Sequence, residues 1–259
     1  MTTPSSDWQA AQYSVFEEQR TRPVRDLLSA THAATARMAV DLGCGPGNST
    51  QTLLDFAPDA HITAIDNSAD MLDAARKRLP QIAFELADIG AWCTDSLYDL
   101  ILANASLQWL PDHATLFPSL AARLTPGGRL AVQMPDNLDE PAHQAMRAAA
   151  ADGPWRGKLK GVERTARHGA EWYYTRLKPH CAQVDVWRTT YHHPLEGGIE
   201  GIVEWFKGSA LRPFLAKLDA DEGEAFLDRY REGLRAAYTV QHDGTVLLPF
   251  PRLFIVATR

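Results

Sequence analysis

Cysteine is scarce in this 259-residue chain, which carries only Cys44, Cys93 and Cys181. The three lie far apart, with no CxxC and no Cys/His ligand spacing, which argues against both a disulfide framework and a structural zinc site. No metal is expected, and a reducing compartment fits. Long apolar runs are missing too: no stretch reaches the roughly 18 residues needed to cross a bilayer. The first ten residues, MTTPSSDWQA, lack the basic and apolar regions of a signal peptide, so a cytoplasmic protein without membrane contact is expected. Positive charge is in deficit, with 26 basic against 32 acidic side chains and a net charge of −6. That balance disfavours a nucleic-acid partner, whose phosphates are held by Lys and Arg. Only six of the basic residues are lysine and 20 are arginine, the side chain whose planar fork matches a carboxylate. Composition bias accounts for the ratio as a whole, so only arginines near a site bear on function. The length allows one large domain or one domain with an insertion, acting as a monomer or small homo-oligomer.

The apolar pattern alternates strand with helix. MAVDL at 38–42 breaks into GCGPGNST and then the helical TQTLLDFA. His61 to Asp66 is a second strand, followed by NSADMLDAARKRLP, with Ser68 as N-cap. IAFELAD ends at Asp88, YDLILANAS ends near Asn104, and RLAVQMP follows the turn TPGG at 125–128. Between the last two, ATLFPSLAARL reads as a helix that exits at Pro126 and Gly127. This order predicts an α/β fold, a parallel sheet with helices on both faces. After about residue 140 the pattern changes. Residues 142–152 and 199–239 are helical, 155–170 are basic, 183–192 alternate like a strand, and LFIVATR closes the chain. With no internal repeat or low-complexity linker, the late helices read as an insertion between late strands. Trp155, Trp172, Trp187 and Trp205 mostly fill the core of that half.

Between the first strand and helix stands Val40-Asp41-Leu42-Gly43-Cys44-Gly45-Pro46-Gly47. Glycines there permit a tight turn and close approach of a ligand to the backbone. A dinucleotide fingerprint requires glycine or alanine at position 48, which is Asn48, and Asp41 would repel a pyrophosphate. A ligand with a free ammonium suits Asp41. Asp66, ending the second strand, is placed to accept ribose hydroxyls. Asp88 can accept from an adenine amino group while Ile89 packs on the ring. Three acids at successive strand ends describe a cationic nucleoside with an amino-acid tail, which is S-adenosylmethionine.

VDLGCGPGNST, ITAIDNS, ADI and LTPGGRLAVQ together resemble the motif series of the Rossmann-type S-adenosylmethionine-dependent methyltransferases, over about residues 38–135. Asp7-Trp8, Tyr13, Phe16, the run Glu18 to Leu28, Asn104 to Trp109 and Trp172 to Tyr174 are similar, more narrowly, to the trans-aconitate 2-methyltransferase family. The resemblance implies a doubly wound, mainly parallel seven-stranded sheet forming a single domain. Residues 1–37 would be a helical lid, 38–135 the donor-binding core, 140–245 acceptor-side helices with a late strand, and 250–258 the closing strand. It implies a donor site of Asp41, Gly43, Cys44, Gly45, Asn48, Asp66, Asn67, Met71, Asp88, Ile89, Asn104 and Ala105. The acceptor would meet Trp8, Tyr13, Arg20, Arg22, Gln108, Trp109, Trp172, Tyr173, Tyr174, Lys207, Ser209 and Arg212.

The implied reaction is methyl transfer to one carboxylate of a small tricarboxylate. A carboxylate with a pKa near 4 is ionised at neutral pH and needs no general base, so no residue is given a catalytic role. A phenol or alcohol would need one, with His32, His113, His143 or the pair His192-His193 as candidates. Arg20 and Arg22 are either anchors for the unreacting carboxylates or the exposed face of a helix. Trp109 either walls the methyl group or packs helix on sheet, and Trp92 either covers the adenine edge or packs locally. The alternatives are another small acid, a phenol or an amine as acceptor, a donor-binding protein without activity, and a nicotinamide-dependent oxidoreductase.

Overall fold

The computed structural model describes residues 17–162 and 167–259, with side chains from Thr21 onward. The chain divides into two compact units. The first takes the described chain up to Pro135, Arg167–Thr189 and Arg252–Arg259; the second takes the described residues of Asp136–Ala166 and Thr190–Pro251. Residues 167–189 fall in the first unit, whereas the sequence-based division set them in the 140–245 block.

The first unit begins with helix α1 (Glu17–Thr31) and then alternates β1 (Met38–Leu42), α2 (Asn48–Phe56), β2 (His61–Asp66), α3 (Ala69–Arg78), β3 (Ala83–Leu86), β4 (Tyr98–Asn104), α4 (His113–Ala122) and β5 (Leu124–Pro135). Local signals fix these boundaries. Ser68 caps α3 by accepting from the Met71 N–H, and Arg76, Lys77 and Arg78 close its last turn, where the helix dipole favours cations. Asp112 caps α4 through the Thr115 N–H at 3.1 Å. Strands β3-β2-β1-β4-β5 follow one another as parallel neighbours, and β7 (Val246–Thr258) adds antiparallel to β5. Strand β6 (Gln183–Leu195) completes a seven-stranded sheet in the order β3-β2-β1-β4-β5-β7-β6. Strands β6 and β7 each pass from one unit into the other.

Two expectations about boundaries are corrected. The TPGG segment is not a turn preceding the fifth strand but a bulge inside it: Tyr98 pairs with Leu124 and Leu100 with Arg129. Gly127, at φ 79°, lets the extra residues fold out, and the Thr125 hydroxyl donates to Asp99 at 2.8 Å. The helix read over ATLFPSLAARL ends at Ala122, two residues short of Leu124, which opens the strand. A further helix, α7 (Ala170–Leu177), has no counterpart in the sequence reading. Its Tyr173 and Leu177 join Val40, Leu42, Ile101, Val132, Met134 and Ile255 of the sheet and Phe117 and Leu120 of α4 in one core cluster.

In the second unit the 199–239 block resolves into α8 (Ile199–Lys207), α9 (Arg212–Leu215) and α10 (Ala220–Ala237), beside α5 (Pro141–Ala151) and the short α6 (Arg156–Leu159). Asp219 and Glu222 form a capping box on α10. Gly233 of α10 is needed for packing: a Cβ there would lie 2.9 Å from Ala145 of α5. Trp155 and Phe226 meet edge to face at 5.9 Å, whereas Trp172 and Trp187, expected in the same core, belong to the first unit. Among the described residues no helix is long and apolar enough to cross a membrane.

Candidate active site

The end of β1 carries the most unusual side chain of the first unit. Asp41 is fully buried; its Oδ2 accepts from the Ser49 hydroxyl at 2.7 Å and the Thr50 hydroxyl at 2.8 Å, both in the first turn of α2. Its Oδ1 meets no hydrogen-bond partner among the described residues. Burial pushes the Asp41 carboxyl up to about 6, the two hydroxyls oppose the rise, and the Asp66 charge adds to it. The loop that follows is built around its glycines. Gly43 has φ 79°, and a Cβ on it would lie 2.3 Å from the Ser106 Cβ, so only glycine lets the β1 and β4 loops meet. The Gly43 and Cys44 N–H groups donate to the Ile65 carbonyl at 2.7 and 3.0 Å. The Cys44 thiol is buried and pushed well above the usual thiol range by desolvation, so it packs and does not react. Asn48 opens α2, its Oδ1 accepting from Arg78 Nη1 at 2.7 Å.

The ends of β2 and β3 hold the next two acids. Asp66 accepts from the Gly45 N–H and the Ser68 N–H, each at 2.9 Å. It therefore shapes the glycine loop and the start of α3, and each oxygen keeps a lone pair for a further donor. Asn67 is exposed and Met71 half-buried just beyond it. Asp88 is exposed, caps the turn Ile89–Ala91 by accepting from the Gly90 N–H at 2.8 Å, and stands beside half-buried Ile89. Trp92 packs locally: it tilts against Tyr98 at 5.8 Å, with the Arg123 guanidinium over its ring at 5.5 Å. It lines a cleft of about 520 Å³ with Thr63, Glu85 and Asp88.

Beyond β4 the chain makes a second sharp turn. Ala105 sits at φ 52°, a conformation that a non-glycine residue rarely adopts. It is held there by its N–H to the Gln133 carbonyl at 2.8 Å and by its own carbonyl, which accepts from Gln108 Nε2 at 2.6 Å. Ser106 locks the turn to β1 by donating to the Leu42 carbonyl at 2.6 Å. Asn104 Oδ1 and Gln108 Oε1 are buried and meet no partner among the described residues. Trp109 is 60% exposed, so the reading that has it packing helix on sheet does not hold.

Of the acceptor candidates, Trp8 and Tyr13 and the Arg20 side chain lie outside the described residues. Arg22 is exposed on α1. Tyr173 is a correction: it is fully buried in the core cluster, and its hydroxyl is engaged by His113 Nδ1 at 2.7 Å, so it holds structure and does not line a pocket. His113 Nε2 bonds the Leu107 carbonyl at 2.8 Å. A carbonyl only accepts, which places the proton on Nε2 and leaves Nδ1 to accept from Tyr173. Burial lowers the His113 pKa below its usual 6.5, keeping it neutral. Trp172 stacks on His168 at 3.7 Å, while Tyr174 is exposed. Lys207, Ser209 and Arg212 belong to the second unit, where Lys207 Nζ pairs with Glu204 at 2.6 Å.

The sequence reading missed Ser49, Thr50, Ser106, Gln133 and Arg252. Gln133 is fully buried near the end of β5, and its Oε1 accepts from the equally enclosed Arg252 Nη1 at 3.0 Å. The signal was present as lone polar residues inside RLAVQMP and PRLFIVA, runs that a buried strand should make apolar throughout.

Three acceptor oxygens without partners among the described residues thus stand on Asp41 of β1, on Asn104 at the end of the neighbouring β4 and on Gln108 in the turn beyond it. An ammonium brings three N–H donors and a positive charge. With Asp66 and Asp88 following along the same sheet edge, the residues fit S-adenosylmethionine. Fold and site together define the class, a Rossmann-type methyltransferase.

Comparison with known proteins narrows this. A family described as "Methyltransferase domain" matches residues 39–128. The trans-aconitate 2-methyltransferase of Methylobacterium radiotolerans is 49% identical, over 98% of this chain and 99% of its own length. That of Methylobacterium nodulans is 51% identical, over 98% and 99%. Among solved structures, a putative methyltransferase from Bacillus halodurans shares the fold at a TM-score of 0.58 and 13% identity, over 91% of this chain and 97% of that one. The chain belongs to the trans-aconitate 2-methyltransferase family, and it is a methyltransferase enzyme.

Proposed function

We propose that this enzyme transfers the methyl group of S-adenosylmethionine to one carboxylate of trans-aconitate, giving a monomethyl ester. The observation that carries the acceptor is the near-full-length identity, 49% to 51%, to relatives named for that reaction. When bound, the donor supplies a methyl group activated by its sulfonium. The chain's own residues do the rest. Asp41 Oδ1, Asn104 Oδ1 and Gln108 Oε1 receive the donor's ammonium, Asp66 its ribose hydroxyls, and Asp88 and Ile89 its adenine. Gly43, Cys44, Gly45, Asn48, Asn67, Met71 and Ala105 shape the surrounding wall.

An acceptor that is already ionised asks no proton transfer of Asp41 or His113. Asp41 is sealed against two hydroxyls, and both ring nitrogens of His113 are engaged. Holding and desolvating two reactants in line can supply about 7–11 kcal/mol of barrier lowering, which is enough for positioning to be the main mechanism. Arg22 on α1, with Arg20, Trp8 and Tyr13 before it in the chain, is assigned to acceptor binding together with Trp109, Trp172 and Tyr174. The protein is read as cytoplasmic, acting on a small molecule as a monomer or small homo-oligomer; its net charge of −6 supports the exclusion of nucleic acid.

The test is methyl transfer from labelled donor to trans-aconitate, with cis-aconitate, citrate, isocitrate and a phenol in parallel. Strong preference for trans-aconitate is expected. Preference for the phenol overturns the carboxylate mechanism, and transfer to no acid despite tight donor binding leaves a donor-binding protein without this activity.

A further inference from the structure

The buried face of a central strand is normally apolar, and on one face of this sheet it is not. Val132 and Met134 of β5 point into the core cluster, so Gln133 between them lies on the opposite face. That is the face covered by α1, whose Thr31 carbonyl accepts from Arg129 Nε at 3.1 Å. Asn104 is the register partner of Gln133 on β4. Asp41 pairs with Leu102, two residues before Asn104, and so shares their face. On β7, Arg252 pairs with Pro135, two residues after Gln133. A buried polar row therefore crosses the sheet from Asp41 through Asn104 and Gln133 to Arg252.

The chemistry of the row inverts along its length. Asp41 and Asn104 present acceptor oxygens without partners among the described residues; Gln133 presents a donor. A guanidinium can only donate, so the bond from Arg252 Nη1 to Gln133 Oε1 fixes the orientation of the amide. Its Nε2 is thereby turned the other way, buried, with no acceptor among the described residues. Arg252, only 5% exposed, sets a formal positive charge beside it. Neighbouring strands lie about 4.8 Å apart. Gln133 and Arg252 thus sit about one and two strand spacings beyond Asn104, on the side away from the acids at the ends of β2 and β3.

We propose that Gln133 and Arg252 anchor a carboxylate of the acceptor that is not itself methylated, with Gln133 Nε2 donating to it and the Arg252 charge holding it. The anchor rests on the carboxylate-acceptor reading above and adds to it a specificity determinant for acids with more than one carboxylate. Donor acids at one end of the row and acceptor donors at the other keep the two reactants in register along one sheet edge.

The test is Gln133→Glu. The variant keeps the shape of the side chain, pairs with the Arg252 guanidinium so that the fold is retained, and puts a negative charge where the acceptor's carboxylate would sit. Trans-aconitate is titrated calorimetrically into protein saturated with S-adenosylhomocysteine, and KM is measured for both substrates. The acceptor Kd and KM are expected to rise about 10- to 100-fold, the worth of a lost charge-assisted hydrogen bond, with the donor Kd unchanged. Selectivity for the tricarboxylate over a matched dicarboxylate should fall by the same factor, a readout that a structural role alone would not move. Gln133→Met, without charge, should raise the acceptor Kd about tenfold and carries the test if the glutamate variant does not fold. Acceptor affinities that stay at the wild-type value overturn the anchor alone. A donor Kd that rises in place of the acceptor's assigns the pair to the donor and also overturns it. Wild-type protein that binds no tricarboxylate removes the reading and the anchor together.

Discussion

In the ligand-free protein the charge on Asp41 works against the fold. Burial raises its pKa from 3.8 to about 6, and at about 1.36 kcal/mol per unit the ionised form costs about 3 kcal/mol above that pH. Between the two values the folded chain holds a proton that the unfolded chain has released. This residue's contribution to stability is therefore present in full below pH 3.8 and is lost as pH rises through about 6. An ammonium placed against Oδ1 reverses the preference, because it favours the ionised form. Donor binding then expels the proton, and donor affinity should grow by up to about tenfold per unit as pH climbs toward 6 and level off above it. Asp41→Asn removes both effects. Its Oδ1 can still accept from Ser49 and Thr50, but its amide presents N–H where an acceptor is required. At pH 8 the donor Kd should rise about 10- to 100-fold, as calorimetry would read it. The Asp41 part of the pH dependence of the ligand-free melting midpoint should vanish. A variant that binds donor as tightly as the wild type, or wild-type donor affinity that is flat from pH 4 to 6, refutes the reasoning.

His113→Phe removes the ring's bonds to the Tyr173 hydroxyl and the Leu107 carbonyl, while the Leu107 carbonyl keeps the Leu110 N–H at 3.0 Å. Denaturant unfolding should show a loss of about 1–3 kcal/mol, and unchanged stability would show that the pair carries no weight. Because burial lowers the His113 pKa, its contribution is present above 6.5 and is lost as pH falls through the folded value. His113→Gln should remove that acid-side component from the stability profile. Cys93 is exposed, whereas Cys44 and Cys181 are buried with thiol pKa values raised by desolvation. Iodoacetamide should add once to the native protein and three times after denaturation, read by intact mass; rapid labelling of Cys44 in the native state would contradict its placement under the loop.

Much of the first unit was legible because its signals are local. MAVDL, the alternating glycines and the Ser68 cap each declare their conformation within a few residues, and the structure places them accordingly. The TPGG bulge was not legible, since Pro and Gly signal a turn wherever they stand. Only the pairing of Tyr98 with Leu124 shows that the turn lies inside a strand. Helix α7 escaped notice because AEWYYTRL mixes helix formers with strand-favouring aromatics. Its conformation is settled by Tyr173 and Leu177 entering the core cluster.

By itself the sequence determined the strand and helix order, the glycine turn after β1 and the three acids at successive strand ends, because each depends on near neighbours in the chain. The tertiary structure alone decided which polar atoms are left without partners. Whether Asp41 Oδ1 or Gln133 Nε2 is satisfied depends on residues that fold places beside them, from Ser49 at a separation of eight residues to Arg252 at 119. The cost of an unmet hydrogen bond arises only once water has been removed, so that part of the site exists only in the folded chain.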